Sequence, residues 1–340
     1  MQDRIKPLAE QHTSVQTLMD TLFADSCISP QKCLMKRFLS LCIRSYEGAT
    51  LSQLSALENV EVIKKVMQWN FTPHPFLQFR HGASILPMTL AKMLGTRIHL
   101  NHVLKKVSFS GDKIKLTFQD GKTVSYDKVI LAIPAPCYQD IHFSEAVLPK
   151  NQLNLIKKIP PGSNAKAVVP IQYAQLPHND ILSDNLGRLD NTVESWLNAD
   201  QKLLTLYFSG DDGQGIIEKL YPIAFKLLNL CYNRNATLNE ATPITAIDEN
   251  FAYYDAPVIQ SWVQDPYSRG SYSSFGVGLN RLIDEKIQYK GVQFRAIFRP
   301  VSDRVFFIGE HTAIMSGVGT IGTMEAAVES AERLAKLFTG

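Results

Sequence analysis

The sequence predicts an α/β fold with an α+β portion, on the evidence of three stretches. Lys128-Val-Ile-Leu-Ala-Ile-Pro134 is an apolar run suited to a central parallel strand covered on both faces. Val305-Phe306-Phe307-Ile308 is a second buried-strand run that stops at Gly309-Glu310. A loop through Gly317, Gly319 and Gly322 follows it, and a helix starts at Thr323. Ahead of both runs, the segments 113–118 and 124–126 flank Asp120-Gly121, a strong hairpin signal.

The bulk numbers bound the function. The chain has 340 residues, 45% hydrophobic and 20% charged, room enough for two compact domains. A net charge of +3 is too small to point to nucleic acid or an anionic membrane. No stretch is long and apolar enough to span a bilayer, and the first residues lack the apolar core of a secretory signal. Cys27, Cys33, Cys42, Cys137 and Cys231 are odd in number, scattered and without a C-x-x-C pair. They read as reduced thiols of a cytoplasmic protein, and no metal cluster is expected.

In chain order, residues 5–69 read as helical. Val15, Leu18, Met19, Leu22 and Phe23 form one apolar face, and Leu34, Phe38, Leu41, Cys42 and Ser45 another. Ser45-Tyr-Glu-Gly48 breaks the pattern, and Leu51 to Ser55 reads as the start of a further short helix. Phe71-Thr-Pro-His-Pro75 is extended or turned, because each proline disfavours helix in itself and its predecessor. Arg80-His81-Gly82-Ala83 then leads into a helix, with Gly82 free to let backbone approach a ligand. His81 reads equally well as a solvent-exposed helix start. Residues 97–100 and 103–109 precede the hairpin.

Further on, Ile159-Pro-Pro-Gly162-Ser-Asn-Ala-Lys166 enters a strand, 203–209 is another strand, and 216–232 is an amphipathic helix. Asp211-Asp-Gly213 is a solvent-facing turn rather than a metal site. Ser261-Trp262-Val-Gln-Asp-Pro-Tyr-Ser-Arg-Gly270-Ser271-Tyr272-Ser273 is the second distinctive segment. Its glycine allows the backbone to run flat against a planar ring, and Tyr272 can offer a π face to a cation. In the last helix Met324, Ala327, Val328, Ala331, Leu334, Ala335 and Phe338 recur at helical spacing. Its N-terminus offers backbone N–H groups and a positive dipole end to an anion or an electron-rich ring.

Two of these segments carry a resemblance. Gly309-Glu-His-Thr-Ala313 with Gly322-Thr-Met-Glu-Ala-Ala-Val-Glu-Ser330 resembles the C-terminal FAD-binding motif of the flavin-containing amine oxidases. The segment 262–273 resembles the W-x-x-D-P-x-x-x-G-S-Y-S run of polyamine oxidases and flavin-dependent lysine demethylases. The similarity extends from roughly Leu34 to the end.

The resemblance implies a two-dinucleotide-binding-domain flavoprotein fold with an interleaved substrate domain. Its expected division is 1–78 and 137–260 for the substrate part, 79–136 and 261–340 for the FAD-binding part. It places Lys166 beside the flavin N5 through a water, Tyr272 as the amine-facing wall, and Glu310 on the ribityl chain. The Thr323-Met324 backbone would face the pyrimidine edge. Gly82, Val103, Ala132, Pro134, Trp262, Gly270, Gly309 and Gly322 would line the FAD. Ser271 stands where monoamine oxidases carry the flavin-bonded cysteine, so FAD is expected to be non-covalent. Thr323 stands where they carry a second cage aromatic, which leaves room for a longer or bulkier amine.

The family opens with a G-x-G-x-x-G strand–loop–helix that this sequence lacks. Three readings follow: a split enzyme whose second chain supplies the unit, a truncated product, or a relative that has lost FAD. The implied activity is oxidation of a small-molecule amine by hydride transfer to flavin, with O2 as acceptor. The alternatives are a non-catalytic scaffold and a desaturase-like or protoporphyrinogen-oxidase-like flavoenzyme.

Overall fold

End signals set the helices. The computed structural model describes residues 2–11, 13–24, 29–60, 63–64, 79, 82–170, 182–183, 194–197, 203–210, 257–274, 276–279, 285–314 and 321–339. His81, Gly317, Gly319 and the segments 211–213 and 216–232 lie outside them. Helix α1 (Gln2–Ala9) leads to α2 (Val15–Leu22), where Ser14 and Thr17 form a reciprocal capping box. Helix α3 (Pro30–Glu47) starts with proline at its first turn and ends at Gly48 in the left-handed conformation, φ 64°.

These three helices share one core: Ile5, Leu18, Met19, Leu39, Ile43, Leu54 and Ile63 are all closed off from solvent. The apolar face of α3 differs from expectation. Leu34 is exposed and Leu39 and Ile43 are buried with Cys42 and Ser45, because the C-terminal half of the helix faces the core that it shares with α1, α2 and the segment 49–63. Residues 51–55 form turns rather than a helix, since Val15 and Gln16 donate their N–H groups to the Leu54 and Leu51 carbonyls.

A meander follows. Helix α4 (Ile85–Leu94) precedes strands β1 (Leu104–Ser110), β2 (Lys113–Phe118) and β3 (Thr123–Tyr126), paired antiparallel in succession. The Asp120-Gly121 turn forms as predicted: Asp120 Oδ1 accepts from Lys122 N at 3.0 Å and Gly121 takes φ 82°. Strand β4 (Val129–Leu131) comes next, and β5 (His142–Phe143) joins β1 in parallel, giving the order β3-β2-β1-β5.

After α5 (Lys150–Ile156), β6 (Ala165–Pro170) lies second in a five-stranded sheet. Its other members are β7 (Leu182–Ser183), β8 (Glu194–Leu197), β9 (Leu203–Phe208) and β10 (Val258–Ser261), in the order β10-β6-β9-β8-β7. The hairpin β11 (Lys286–Tyr289) and β12 (Val292–Arg295) leads to β13 (Val305–Phe307), then to α6 (Met324–Thr339). Strands β13 and β4 pair in parallel, Val305 against Val129 through Phe307 against Leu131. The two apolar runs therefore meet as expected. Strand β4 is not a covered central strand, however: among the described residues the sheet has two strands, and Ile130 is exposed.

Helix α6 also departs from expectation. Met324, Val328 and Phe338 of the predicted stripe are exposed, and Ala326, Ser330, Arg333 and Leu334 are buried. The reason is that α6 packs against backbone as well as against side chains. Ser330 Oγ accepts from Gly309 N at 2.9 Å, and Arg333 donates to the Thr312 carbonyl at 2.9 Å while pairing with Glu329 at 2.8 Å. Buried loop backbone needs polar partners, and a search for apolar periodicity misses them.

Candidate functional site

Four elements converge on Tyr272. The segment that carries it is shaped by Asp265, whose Oδ1 accepts from Tyr267 N at 2.8 Å and from Ser268 N at 2.9 Å. Arg269 then takes a left-handed φ of 54°, and Gly270 donates to the Trp262 carbonyl at 2.8 Å, closing the loop. Arg269 reaches out to Asp140 with a two-pronged pair, 2.5 Å and 2.9 Å. Gly270 approaches protein closely: with φ 146°, a Cβ there would collide with Pro161 and the Gly162 carbonyl. Its role in the structure is to let two backbone segments touch.

That contact is a short ladder. Gly162 N donates to the Tyr272 carbonyl at 2.7 Å, and Ser271 N donates to the Gly162 carbonyl at 2.8 Å. Beside it Asn164, fully buried, accepts from the Ser271 hydroxyl and donates to Ser209 Oγ at 2.7 Å. Ser271 is thus committed to the start of β6. Two residues past Asn164, Lys166 stands across β9 from Tyr207, its Nζ 5.7 Å from that ring's centroid.

The Tyr272 ring sits between two glycines. A Cβ on Gly48 would stand 3.1 Å from Cε2, and one on Gly322 would stand 2.9 Å from Cγ and Cδ2. The hydroxyl donates to the Ser45 carbonyl at 2.9 Å and lies 3.5 Å from that of Tyr207. Burial first, then Tyr207 and Glu47, push the phenol well above its ordinary range, so it stays protonated. The ring's edges are therefore held by the chain itself, and Tyr207 is a neighbouring aromatic that motif reading passed over. The signal for it was the i to i−41 strand register with Lys166, which no local pattern shows.

Glu310 ties the two distinctive segments together. One carboxylate oxygen accepts from Ser273 N at 3.0 Å and Ser273 Oγ at 2.8 Å; the other accepts from Gly322 N at 2.7 Å. Three donors leave roughly one lone-pair direction of a carboxylate for a further hydroxyl. Next to it His311 is buried against Phe298, rings 5.1 Å apart. Burial pulls its imidazole down to about 4 against the opposing pull of Glu310, so it is neutral at ordinary pH. Thr323 caps α6 as predicted, accepting from Ala326 N at 3.1 Å.

The structure thus brings Lys166, Gly270, Ser271, Tyr272, Gly309, Glu310, Gly322, Thr323 and Met324 into one neighbourhood. Trp262 flanks it, half-buried, at the base of the Gly270 loop. Gly82, Ala132 and Pro134 are exposed, and Ala132 follows Leu131, whose carbonyl accepts from Ile308 N at 3.0 Å where the meander side meets β13, one residue before Gly309. Val103 is half-buried there, its carbonyl taken by Gln119 N at 2.8 Å.

The sequence profile of the family described as flavin containing amine oxidoreductase matches residues 20–337. The chain is similar to a flavin-containing amine oxidase of Danio rerio, 26% identical over 270 residues, covering 76% of this chain and 46% of the relative. It is similar to a probable polyamine oxidase 5 of Arabidopsis thaliana, 23% identical over 222 residues, 58% of this chain and 40% of the relative. An L-amino-acid oxidase of Pseudechis australis is 23% identical over 250 residues, 69% and 44% respectively. The chain spans about half the length of the relatives it matches.

Proposed function

The chain belongs to the flavin-containing amine oxidoreductase family, and on that premise we propose that it serves the oxidation of a small-molecule amine at a non-covalently held FAD. The observation that carries this reading is the Glu310 carboxylate, which joins Ser273 to Gly322 and so sets Tyr272 beside the start of α6.

The described residues fit such a cofactor. Glu310 keeps one direction for a ribityl hydroxyl. The α6 N-terminus offers its dipole to an electron-rich ring edge, with the Thr323 side chain already spent on Ala326. Ser271 supplies no thiolate and is bonded to Asn164, which supports non-covalent binding. When bound, FAD supplies the hydride acceptor for the carbon beside the amine nitrogen and hands the electrons to O2, the products being imine, then carbonyl, and peroxide. The chain's own residues orient and shield. Tyr272 and Tyr207 form an aromatic wall, and Lys166 carries a cation behind it, able to hold or move a proton at Nζ. No observation on the described residues favours a second chain carrying the G-x-G-x-x-G unit. Among the described residues no helix is long and apolar enough to cross a membrane.

The test is the visible spectrum of the purified chain with and without added FAD, followed by anaerobic addition of amines. Flavin bands that persist through gel filtration and bleach with an amine are the expected result. A chain that loads FAD but is bleached by no amine would instead fit the desaturase-like alternative. A chain that takes up no flavin would fit the scaffold reading.

A further inference from the structure

Asn164 is a buried polar side chain at the entry to β6. It stands one step beyond the register in which Ala165 opposes Phe208 and Lys166 opposes Tyr207. That register sets it against Ser209, whose hydroxyl accepts from Asn164 Nδ2 at 2.7 Å. Side chains two residues apart on a strand share a face. Asn164 therefore lies on the face of β6 that carries Lys166, and Ser209 continues the face of β9 that carries Tyr207.

The same amide reaches a third segment. Its oxygen accepts from the Ser271 hydroxyl, and the Asn164 backbone N–H donates to that hydroxyl at 3.4 Å. Ser271 directly precedes Tyr272, and Ser209 lies two residues past Tyr207. One amide thus ties together the two segments that carry the aromatic pair, whose hydroxyls lie 3.5 Å apart. Gly48 closes a further side: a Cβ there would collide with Asn164 Oδ1 and stand 3.1 Å from Tyr272 Cε2. The amide oxygen and the ring edge are packed against the same glycine.

Ser163, the neighbour of Asn164, is built differently. Its hydroxyl donates to the Gly210 carbonyl at 2.6 Å, and its N–H donates to the Gly48 carbonyl at 2.7 Å. It fastens β6 to the exit of β9 and the end of α3, and its side chain bonds to nothing in the Tyr272 segment.

We propose that Asn164 is a positioning residue of the site: its amide sets the spacing of the Tyr207–Tyr272 pair, and through that spacing the fit of the amine the pair receives. A buried donor or acceptor without a partner is costly, so the two side-chain bonds favour the one arrangement that satisfies both. An apolar side chain of similar volume would fill the space, but its packing is not directional and would leave the spacing unset. The fit to an amine rests on the amine-oxidation reading; the spacing does not.

The experiment is NMR of the full chain with selectively protonated tyrosine, joined to calorimetric titration with benzylamine. Wild type should show a cross-peak between the ring protons of Tyr207 and Tyr272, assigned with Tyr207→Phe and Tyr272→Phe. Asn164→Leu should lose that cross-peak and bind benzylamine about tenfold more weakly, the size of one cation–π contact. Asn164→Asp, whose carboxyl can accept from both serine hydroxyls, should keep the cross-peak. Ser163→Ala should unfold at lower urea yet keep both the cross-peak and the affinity. If Asn164→Leu does not fold, its combination with Ser209→Ala and Ser271→Ala leaves no hydroxyl unsatisfied and should fold without the cross-peak. A cross-peak that persists in either leucine variant, or is missing from wild type, overturns the inference. So does its loss in Ser163→Ala, which would mark general loosening, and so does unchanged benzylamine affinity where the cross-peak is gone. A wild type that binds no benzylamine overturns the amine reading instead, while the cross-peak still reports whether Asn164 sets the spacing.

Discussion

Two helices of this chain behave opposite to their composition: the more polar one is buried and the more apolar one is not. Helix α3 buries Leu39, Cys42, Ile43 and Ser45, and its end holds Tyr272 in place. Helix α4, Ile-Leu-Pro-Met-Thr-Leu-Ala-Lys-Met-Leu, buries none of its residues, and Met88 and Met93 are 65% and 77% exposed. The same contrast separates the surroundings of Tyr272 from the β4 side, where Ile130 is also exposed. The difference teaches where the fold's stabilisation resides. Everything that fixes Tyr272, Lys166 and Glu310 relative to one another is packed and hydrogen-bonded within the described chain. Gly82, Ala132 and Pro134, which the resemblance placed along the FAD, are exposed.

The sharpest way to break this comparison is truncation on each side. Ile43 is closed off from solvent. Ile43→Ala should lose about 2–5 kcal/mol of unfolding free energy through lost transfer and a residual cavity. Met93→Ala should stay within about 0.5 kcal/mol of wild type, as exposed substitutions do. Urea unfolding of both variants is the measurement. A large loss for Met93→Ala would mean that α4 is covered in solution and that the two regions are not different in kind.

A second contrast uses two glycines with the same backbone. Gly82 and Gly322 have φ of 81° and 82°, so an alanine pays a similar left-handed cost of about 1–2 kcal/mol at either place. At Gly82 the added methyl meets open space; at Gly322 it meets Tyr272 at 2.9 Å. Gly322→Ala should therefore cost about 1–3 kcal/mol more than Gly82→Ala, the range of overpacking. It should also change the near-ultraviolet tyrosine signal, which Gly82→Ala should not. In the background of Tyr272→Ala the extra cost should vanish. If it persists, Gly322 is needed for something other than room for the ring.

How much of this was legible in the sequence depends on whether the cause is local. The Asp120-Gly121 turn, the proline and glycine ends of α3, the Thr323 cap and the two apolar parallel strands all follow from short-range rules, and all are present. Motif resemblance gathered Lys166, Tyr272 and Glu310, and the structure places them together. What could not be read is tertiary. Ser330 and Arg333 are buried because a loop 21 residues earlier needs donors and acceptors, so apolar spacing chose the wrong face of α6. Gly270 packs where Pro161 occupies the space its Cβ would need, a contact between segments more than 100 residues apart that no local pattern shows.

The smallest expected effect concerns the outer edge of the Tyr272 segment. Its inner end is held by Glu310 and the Gly162 ladder, and its outer end by the Arg269–Asp140 pair, whose side chains are 40% and 34% exposed. Two-pronged geometry favours the pair, but water screens charges at that exposure, and exposed pairs contribute about 0.2–1 kcal/mol. Asp140→Asn should lower stability by no more than that, with the loss shrinking further as salt is raised from low to near-molar concentration. Arg269 would still hold its left-handed turn, because that turn depends on Asp265 and Gly270 rather than on Asp140. The amine-binding heat should accordingly be unchanged in Asp140→Asn. A loss of several kcal/mol, or altered amine binding, would show that the segment is positioned from outside. Tyr272 would then depend on the exposed side of the molecule as much as on the buried one.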